Sequence, residues 1–359
     1  MRKHYLDNIR WITVVIVVIY HVIYMYNTEG IVGVVGRITN LDVQYYDVFQ
    51  YIVYPWFMPV LFMVAGISSR IYLDRHTDRE FIKSRTTKLL VPSTIGLLAF
   101  QFIQGIVNAS ISGVLFREEM PFVGKIIVVI LSGCGVLWFI QLLWLYSMAL
   151  VLVRKIEKDC LWKICGRANL PVLIALVMPA YVAGQIFNTP LVVVYRFGYY
   201  FFMFLLGYFV LSHDEVIEVL KKWFPAFAVV SLVLIITFCI RFFGLNYADN
   251  PIYRTMHFIA DGYFTSLAII GGMAKYGDFS TDFTEWMSKR SFGLYVFHYL
   301  GISSVAYYLA KPGYISAPLA YLLSAVCGFA GAYLLNAIIS RLPFFRWAVL
   351  GIKKEKTNV

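Results

Sequence analysis

Arg10 and His21 are the two residues of the first hydrophobic stretch whose types and spacing could do chemistry. The stretch 10–26 reads RWITVVIVVIYHVIYMY, and beyond its first position His21 is its only charged or imidazole side chain. In an α-helix this spacing is three turns plus about 20° and a rise of roughly 16 Å, which predicts both side chains on one face. Arg10 would then lie at a membrane surface and His21 near the bilayer centre. A titratable residue at that depth usually faces a protein interior or a wet cavity, so His21 is a functional candidate; the alternative is a histidine hydrogen-bonded to a neighbouring helix.

A second set of candidates is the basic segment before the third hydrophobic stretch, SSRIYLDRHTDREFIKSRTTKLLVP. Arg85 and Lys88 are three positions apart at its end, with Pro92 one turn further on, which predicts that the two cations share a helix face. Such a pair suits a phosphate-bearing ligand held by charge-assisted hydrogen bonds at the cytoplasmic membrane surface. The alternative is that these cations only set the membrane topology.

Two further polar residues could assist these candidates. Asp7 lies one turn before Arg10, and this spacing predicts that it orients or partly neutralises the guanidinium. His298 lies about 12 Å into a later hydrophobic span. It is interpreted either as a second polar group in the cavity of the first histidine or as a packing histidine.

Two more groups of polar residues occur within hydrophobic segments. His257 and Asp261 are four apart, so a hydrogen bond between them is possible, either as a catalytic acid–imidazole pair or as a structural one. Gln101, Gln104 and Asn108 recur at intervals of three and four, which predicts a polar stripe on one helix face. The stripe would serve for hydrogen bonds between helices or would line a substrate path.

Composition places these residues in a membrane protein. Of 359 residues, 60% are hydrophobic and only 14% charged, and the mean hydropathy is +0.72. A soluble domain carries far more charge, so the sequence predicts a polytopic membrane protein. The net charge of +11 favours contact with anionic lipid headgroups rather than with nucleic acid. The first apolar run is too long and too bulky for a cleavable signal peptide.

Several chemistries are excluded by missing motifs. The five cysteines include no CxxC pair, so neither a metal site nor a disulfide framework is expected. Gly-rich phosphate loops, Walker sequences, HExxH and GxSxG are all absent, which argues against ATP-driven pump chemistry.

The hydrophobic pattern predicts an all-α helix bundle of about ten membrane spans. The predicted spans are 9–27, 48–72, 89–110, 126–153, 171–187, 196–212, 225–243, 254–274, 291–310 and 315–340. With this count, most of the 31 lysine and arginine residues fall on one side, which predicts that both termini are cytoplasmic. No linker, internal repeat or low-complexity run divides the chain, so residues 1–359 are expected to form a single domain.

The sequence resembles the acyltransferase family 3 proteins, multi-span membrane enzymes that O-acylate sugars and other surface molecules. The resemblance rests first on LDNIRW followed by His21, in which an arginine, ten residues and a histidine form a fairly specific motif. The other similar stretches, in family order, are WFMPVLFMVAG at 56–66, KLLVP ending at 92, GVLWFIQLLW at 135–144, FMFLLGYF around 207 and SFGLYVFHY ending at 299. Together they cover nearly the whole chain.

The resemblance implies roles for individual residues. His21 matches the essential membrane histidine, expected to act as a base or as an acyl carrier, and Arg10 matches the arginine placed to meet the acyl donor. Arg85 begins what is often a pair of arginines, in which Lys88 keeps the charge but lacks the bidentate fork. The expected substrate-binding residues are Arg10, Arg85, Lys88 and His298. The expected supporting residues are Asp7, Trp138, His257 and Asp261.

The implied activity is transfer of an acyl group, acetyl or succinyl, from cytoplasmic acyl-CoA to a hydroxyl of a surface glycan, lipid or related acceptor. Acyl-CoA would be a co-substrate, with no bound cofactor and no metal. The expected partners are this donor, an extracytoplasmic carbohydrate or lipid acceptor and the lipids of the cell membrane, without nucleic acid; the oligomeric state stays open. A transporter or flippase for a lipid-linked sugar or small metabolite is the alternative, although no inverted repeat or broken helix pair favours it. A catalytically inactive structural subunit is a third possibility.

Overall fold

The structure, a computed structural model, describes residues 2–29, 33–188, 194–246 and 252–352, in which helices are the only regular elements apart from one isolated β-bridge. The first nine helices are α1 His4–Met25, α2 Val48–Val53, α3 Phe57–Leu73, α4 Asp78–Arg85, α5 Val91–Gly96, α6 Phe102–Ile111, α7 Phe122–Cys134, α8 Trp138–Glu157 and α9 Cys160–Cys165. The next nine are α10 Leu170–Ala175, α11 Val177–Ala183, α12 Phe197–Phe209, α13 Asp214–Phe242, α14 Met256–Tyr276, α15 Asp282–Val305, α16 Ala317–Val326, α17 Ala332–Ile339 and α18 Pro343–Leu350. The all-α prediction is therefore confirmed.

The predicted spans all coincide with helical segments, but not all of these segments are long enough to cross a membrane by themselves. Within the described residues, six helical stretches are long and apolar enough to do so. They are His4–Met25, Tyr45–Leu73, Asp78–Ile111, Phe122–Glu157, Asp214–Phe242 and Ala317–Ile339. Two shorter apolar stretches are Leu170–Ala183 and Phe197–Phe209. The structure supports a multi-pass membrane protein, while the count of ten and the cytoplasmic termini stay predictions.

Several of the predicted spans contain a break in the regular α-helix. Pro55 lies between α2 and α3, where an α-helical interior would lose a backbone hydrogen bond. Gly135 separates α7 from α8 with φ of 29°, a value that glycine adopts more readily than other residues. Among the described residues, four wider π-helical turns, which often mark functional regions, follow directly on α-helices. These π-helical turns are Thr86–Leu90, Leu97–Gln101, Ala306–Ala310 and Cys327–Gly331.

The chain forms two compact units, each assembled from three separate stretches of sequence. The first unit comprises Met1–Thr13, Val48–Ile82 and Leu145–Ser288. The second unit comprises Val14–Asp47, Lys83–Trp144 and Lys289–Val359. The units alternate along the chain instead of following one another across a linker, and α1 contributes residues to both. That residues 1–359 form one domain remains a prediction.

The first unit contains a close contact between α3 and α12. A Cβ atom on Gly66 would lie 2.0 Å from the carbonyl oxygen of Phe204, and one on Gly207 would lie 2.1 Å from that of Met63. Only glycine therefore permits this approach of the two backbones, as is common where membrane helices pack through small residues. The contact holds α3 in place, and α3 carries a side chain of the candidate site.

Two hydrogen bonds within the second unit fix the position of α15. The Tyr295 hydroxyl donates a hydrogen bond to the carbonyl oxygen of Val136, beside the break between α7 and α8. The Gln101 Nε2 atom donates to the carbonyl oxygen of Val296 at 2.9 Å. These two hydrogen bonds fix the turn of α15 that precedes His298.

Candidate active site

His21 lies in the last turns of α1, four residues before its end at Met25, and is half-buried in the second unit. Aromatic rings surround its imidazole: the Tyr20 and Tyr299 rings lie edge-on with centroids at 5.2 and 5.1 Å, and Tyr24 lies at 5.9 Å. Because α1 continues unbroken from His4 to Met25, the helical geometry predicted for its residues applies to the structure. The imidazole thus lies in a largely apolar, aromatic environment.

A second histidine contacts this ring. Nε2 of His298, on α15, lies 3.2 Å from Nδ1 of His21, and the ring centroids are 5.0 Å apart. His298 is fully buried, and its Nδ1 lies 2.9 Å from the carbonyl oxygen of Tyr295. Nδ1 of His21 also lies 2.8 Å from the carbonyl oxygen of Val17, one turn earlier on α1. The structure thus brings together two histidines that are 277 residues apart in sequence.

This arrangement combines the two interpretations that the sequence left open for His21. The ring is hydrogen-bonded to a neighbouring helix through His298, and the residue as a whole keeps part of its surface exposed. A neutral imidazole with one nitrogen occupied by hydrogen bonds can use the other to accept a proton or to attack a carbonyl carbon. The geometry is therefore suitable for acid–base or nucleophilic chemistry.

Arg10 lies on α1 within the first unit, where two side chains hold its guanidinium. Nη1 of Arg10 lies 2.7 Å from Oδ1 of Asp7, so the ion pair predicted from their spacing is present. Nη2 donates a hydrogen bond to the Ser68 hydroxyl on α3. The second carboxylate oxygen of Asp7 accepts a hydrogen bond from Arg2 at 2.7 Å. Asp7 therefore partly neutralises two arginines at the start of α1.

Arg85 and Lys88 lie in the second unit at a change of helix type. Arg85 ends α4 and is half-buried, whereas Lys88 is exposed within the π-helical turn Thr86–Leu90. A π-helical turn contains more residues than an α-helical turn, so the three-residue spacing does not give the shared face expected of a regular helix. Lys88 forms no ion pair with any residue that the structure describes. Its ligand-binding role stays a prediction.

Other arginines are engaged in ion pairs of the first unit. Arg70 donates to Asp159 at 2.6 Å, and its guanidinium carbon lies 3.8 Å from the centroid of the Trp162 ring. Arg154 donates to Asp78 at 2.5 Å. Because these arginines are paired with carboxylates of the protein, they are weaker candidates for ligand binding than Lys88.

His257 and Asp261 are not joined by a hydrogen bond in the part of the chain described. Nε2 of His257 lies 2.9 Å from the carbonyl oxygen of Leu234 and 3.1 Å from the Thr237 hydroxyl, whereas Oδ1 of Asp261 accepts from the Thr265 hydroxyl at 2.9 Å. The hydrogen bond that their spacing permits is therefore not formed, because His257 is hydrogen-bonded to groups of α13 and Asp261 to Thr265 on α14. The supporting role of the two residues stays a prediction. Both residues belong to the first unit.

Trp138 is the first residue of α8 and follows the turn at Gly135–Leu137. Its ring is half-buried and meets the Phe139 ring edge-on at 6.4 Å. The location places it beside a helix break of the second unit. Its supporting role stays a prediction.

The polar stripe on the third predicted span, with Gln101 and Gln104 buried and Asn108 half-buried, is only partly hydrogen-bonded. Gln101 donates to the Val296 carbonyl oxygen, and Asn108 donates to that of Ser132 at 3.0 Å. Both polar atoms of Gln104 lack a hydrogen-bond partner among the described residues. The interpretation as hydrogen bonds between helices thus holds for two of the three amides.

The structure adds residues that the sequence reasoning missed. Ser68 contacts Arg10, the Val17 carbonyl contacts His21, and the Tyr299 ring covers the imidazole, although no spacing rule connects Ser68 or Tyr299 with α1. Only 1% of the surface of Arg196, the residue before α12, is exposed. It lies against aromatic rings of the first unit and hydrogen-bonds the Tyr54 hydroxyl, so it belongs to the core.

Comparison with known protein families gives a match over most of the chain. Comparison with curated proteins and with solved structures found no match. The family model described as an acyltransferase domain matches residues 3–339, nearly the whole chain, and this range contains both histidines and the cations of the candidate site. The chain is therefore a member of acyltransferase family 3.

Proposed function

We propose that this protein transfers an acyl group from cytoplasmic acyl-CoA to a hydroxyl group of an extracytoplasmic glycan, lipid or related acceptor, and that His21 is the reacting imidazole. The single observation that supports this role best is the position of the half-buried residue His21 inside a helical unit, with Nδ1 of its imidazole hydrogen-bonded. Membership of the acyltransferase family supplies the reaction class. The donor, the acceptor and the direction of transfer are parts of the proposal.

The proposed step is general-base catalysis. The imidazole of His21 takes the proton of the acceptor hydroxyl as that oxygen attacks the thioester carbonyl carbon. The resulting tetrahedral intermediate expels the CoA thiolate, which takes the same proton back from the imidazolium. One ester bond forms, one thioester bond breaks, and the products are the acylated acceptor and free CoA. An apolar, aromatic setting supports this step because it keeps bulk water away from the thioester.

Cationic side chains are proposed to bind the phosphates of the donor. Arg10 is held by Asp7 and Ser68, and these described hydrogen bonds use two of the five N–H donors of its guanidinium. Its remaining donors suit a phosphate group. Arg10 precedes His21 on the same continuous helix by roughly 16 Å of rise, a distance that the long arm of an acyl-CoA can cover.

The experiment that tests this function uses purified protein reconstituted into liposomes. Acetyl-CoA carrying a radiolabelled acetyl group is added together with a surface-glycan and membrane-lipid extract of the native host. We expect the release of free thiol and the transfer of label to the extract in equal amounts. His21→Ala should abolish both, because no other group of the proposed step can take the hydroxyl proton.

The matched control is His76→Ala, since His76 is an exposed histidine of the first unit outside the proposed site. Both variants must elute as the same single species as the unchanged protein in gel filtration. Normal acyl transfer by His21→Ala would refute the role of this residue. Uptake of labelled solute without any release of thiol would instead indicate a transporter.

Omitting the acceptor distinguishes base catalysis from an acyl-carrier role. If His21 acts as a base, acetyl-CoA alone should give no labelled protein. If an acyl-imidazole forms, one equivalent of free thiol should appear in a burst, and the label should remain on the protein.

A further inference from the structure

The proton positions on the two histidines follow from their neighbouring carbonyl groups. A carbonyl oxygen only accepts hydrogen bonds, so a ring nitrogen that is hydrogen-bonded to one must carry a proton. Nδ1 of His298 lies 2.9 Å from the Tyr295 carbonyl oxygen and 3.2 Å from that of Leu294. Nδ1 of His298 is therefore protonated.

The same rule applies to His21. Its Nδ1 lies 2.8 Å from the Val17 carbonyl oxygen, so this nitrogen also carries a proton. Nε2 of His298 faces that Nδ1 at 3.2 Å and must accept, because two N–H groups directed at each other would repel. One arrangement of protons thus satisfies all four contacts, with both rings neutral and protonated on Nδ1.

From this network we infer that His298 is a positioning residue, which accepts a hydrogen bond from Nδ1–H of His21 and leaves Nε2 of His21 as the basic nitrogen. The proton positions in this inference do not depend on the proposed function, whereas the effect on catalysis rests on it. The hydrogen bond made by one ring nitrogen determines the chemistry of the other, as in metal sites and catalytic triads. His298 is fully buried, so its Nε2 faces the ring of His21 and not bulk solvent.

The interaction should matter most when His21 gains a proton. The imidazolium that forms during the proposed step has its Nδ1–H between two acceptors, the Val17 carbonyl oxygen and Nε2 of His298. Hydrogen bonds to charged groups are stronger than neutral ones. Removing the His298 acceptor should therefore lower kcat, while the KM for the donor should hardly change.

Three substitutions of one residue separate the acceptor role from packing. The side chain of His298→Gln can place its Oε1 near the former position of Nε2, whereas that of His298→Asn reaches only the Nδ1 position, and His298→Leu has no acceptor. We expect the Gln variant to retain most of the kcat, and the Asn and Leu variants to lose about 10- to 100-fold. Gel filtration and thermal melting of each variant exclude misfolding as the cause.

A spectroscopic measurement tests the proton positions without any assay of activity. Protein containing histidine labelled with the heavy nitrogen isotope is placed in lipid bilayers for solid-state NMR, and the His21 signals among the six histidines are assigned by their loss in His21→Gln. We expect a protonated Nδ1 and an unprotonated Nε2 for His21, with a correlation from Nδ1 to a nitrogen of His298 that disappears in His298→Leu.

A protonated Nε2 on His21, or the absence of that correlation, would overturn the assignment. Unchanged kcat in the Asn and Leu variants, or a Gln variant as slow as the Leu variant, would also overturn it. If the unchanged protein transfers no acyl group, the proposed function fails, but the NMR measurement still decides the tautomer. The two failures are therefore distinguishable.

Discussion

Nη1 of Arg10 lies 2.7 Å from Oδ1 of Asp7, while Nη2 of the same guanidinium donates a hydrogen bond to Ser68. One partner comes from α1 itself and the other from α3. A guanidinium held at two points keeps its planar fork in one orientation, so less rotamer entropy is lost when a phosphate binds. The relationship therefore makes Arg10 a better candidate for donor binding than a freely rotating surface cation.

The first prediction concerns the contribution of Arg10 to binding of the acyl donor. Arg10→Met should raise the KM for acetyl-CoA about 10-fold or more, because a hydrogen bond to a charged group contributes about 1.5–3 kcal/mol. Initial rates of thiol release at varied donor concentration measure this change. Ser68→Ala should have a smaller effect in the same direction, since it removes a contact that orients the arginine but keeps its charge.

A truncated donor provides the control for this prediction. S-acetyl-N-acetylcysteamine has the thioester but no phosphate, so Arg10→Met should leave its KM unchanged. An equal loss with both donors would show that Arg10 supports the fold rather than the donor phosphates.

The second prediction concerns Lys88, which is exposed in a π-helical turn and has no ion-pair partner among the described residues. Lys88→Gln should raise the KM for acetyl-CoA several-fold at low ionic strength, and the difference should shrink in high salt because exposed charges are screened. Lys83→Gln, a change at an exposed lysine of the neighbouring α4, is the matched control. Equal effects of the two substitutions would indicate a general surface charge instead of a specific contact.

Much of the fold was predictable because the periodicity and the length of the hydrophobic segments determine where the helices form. The predicted spans coincide with helices, and the Asp7–Arg10 ion pair followed from a three-residue spacing on one helix. The breaks at Gly135 and in the π-helical turns were not predicted, because they depend on how neighbouring helices pack. The same holds for the contact of Arg10 with Ser68, which joins distant parts of the chain.

The two histidines of the candidate site stood out in the sequence, whereas a shared location was only one of two interpretations of His298. His21 and His298 were each recognised as polar groups within apolar spans, yet only the structure brings Nε2 of one to Nδ1 of the other. The pair His257 and Asp261 shows the opposite case. Their spacing permits a hydrogen bond, but carbonyl and hydroxyl groups nearer to each side chain take its place.

The third prediction concerns Gly66 and Gly207, which lie in two of the stretches that resemble the family and pack against each other's helix. Gly66→Ala and Gly207→Ala should each lower the free energy of unfolding by about 1–3 kcal/mol, because the added methyl group would overlap backbone atoms that cannot rotate away. Thermal melting in detergent measures this loss. Gly331→Ala is the control, since no atom lies within 4 Å of its added Cβ. Unchanged melting of both test variants would contradict the close contact of α3 and α12.

The last prediction concerns Gln104, a fully buried side chain whose two polar atoms have no partner among the described residues. Gln104→Leu keeps a similar volume and removes groups whose burial without hydrogen bonds costs about 1–3 kcal/mol, so we expect the melting temperature to rise. Gln101→Leu should not raise it, because that substitution also removes the hydrogen bond to the Val296 carbonyl oxygen. Melting curves in the same detergent compare the two variants directly. If Gln104→Leu lowers the melting temperature as much as Gln101→Leu does, the Gln104 amide is hydrogen-bonded within the bilayer and the prediction is wrong. The melting temperature of the Gln104→Leu variant would then be measured again with acetyl-CoA added.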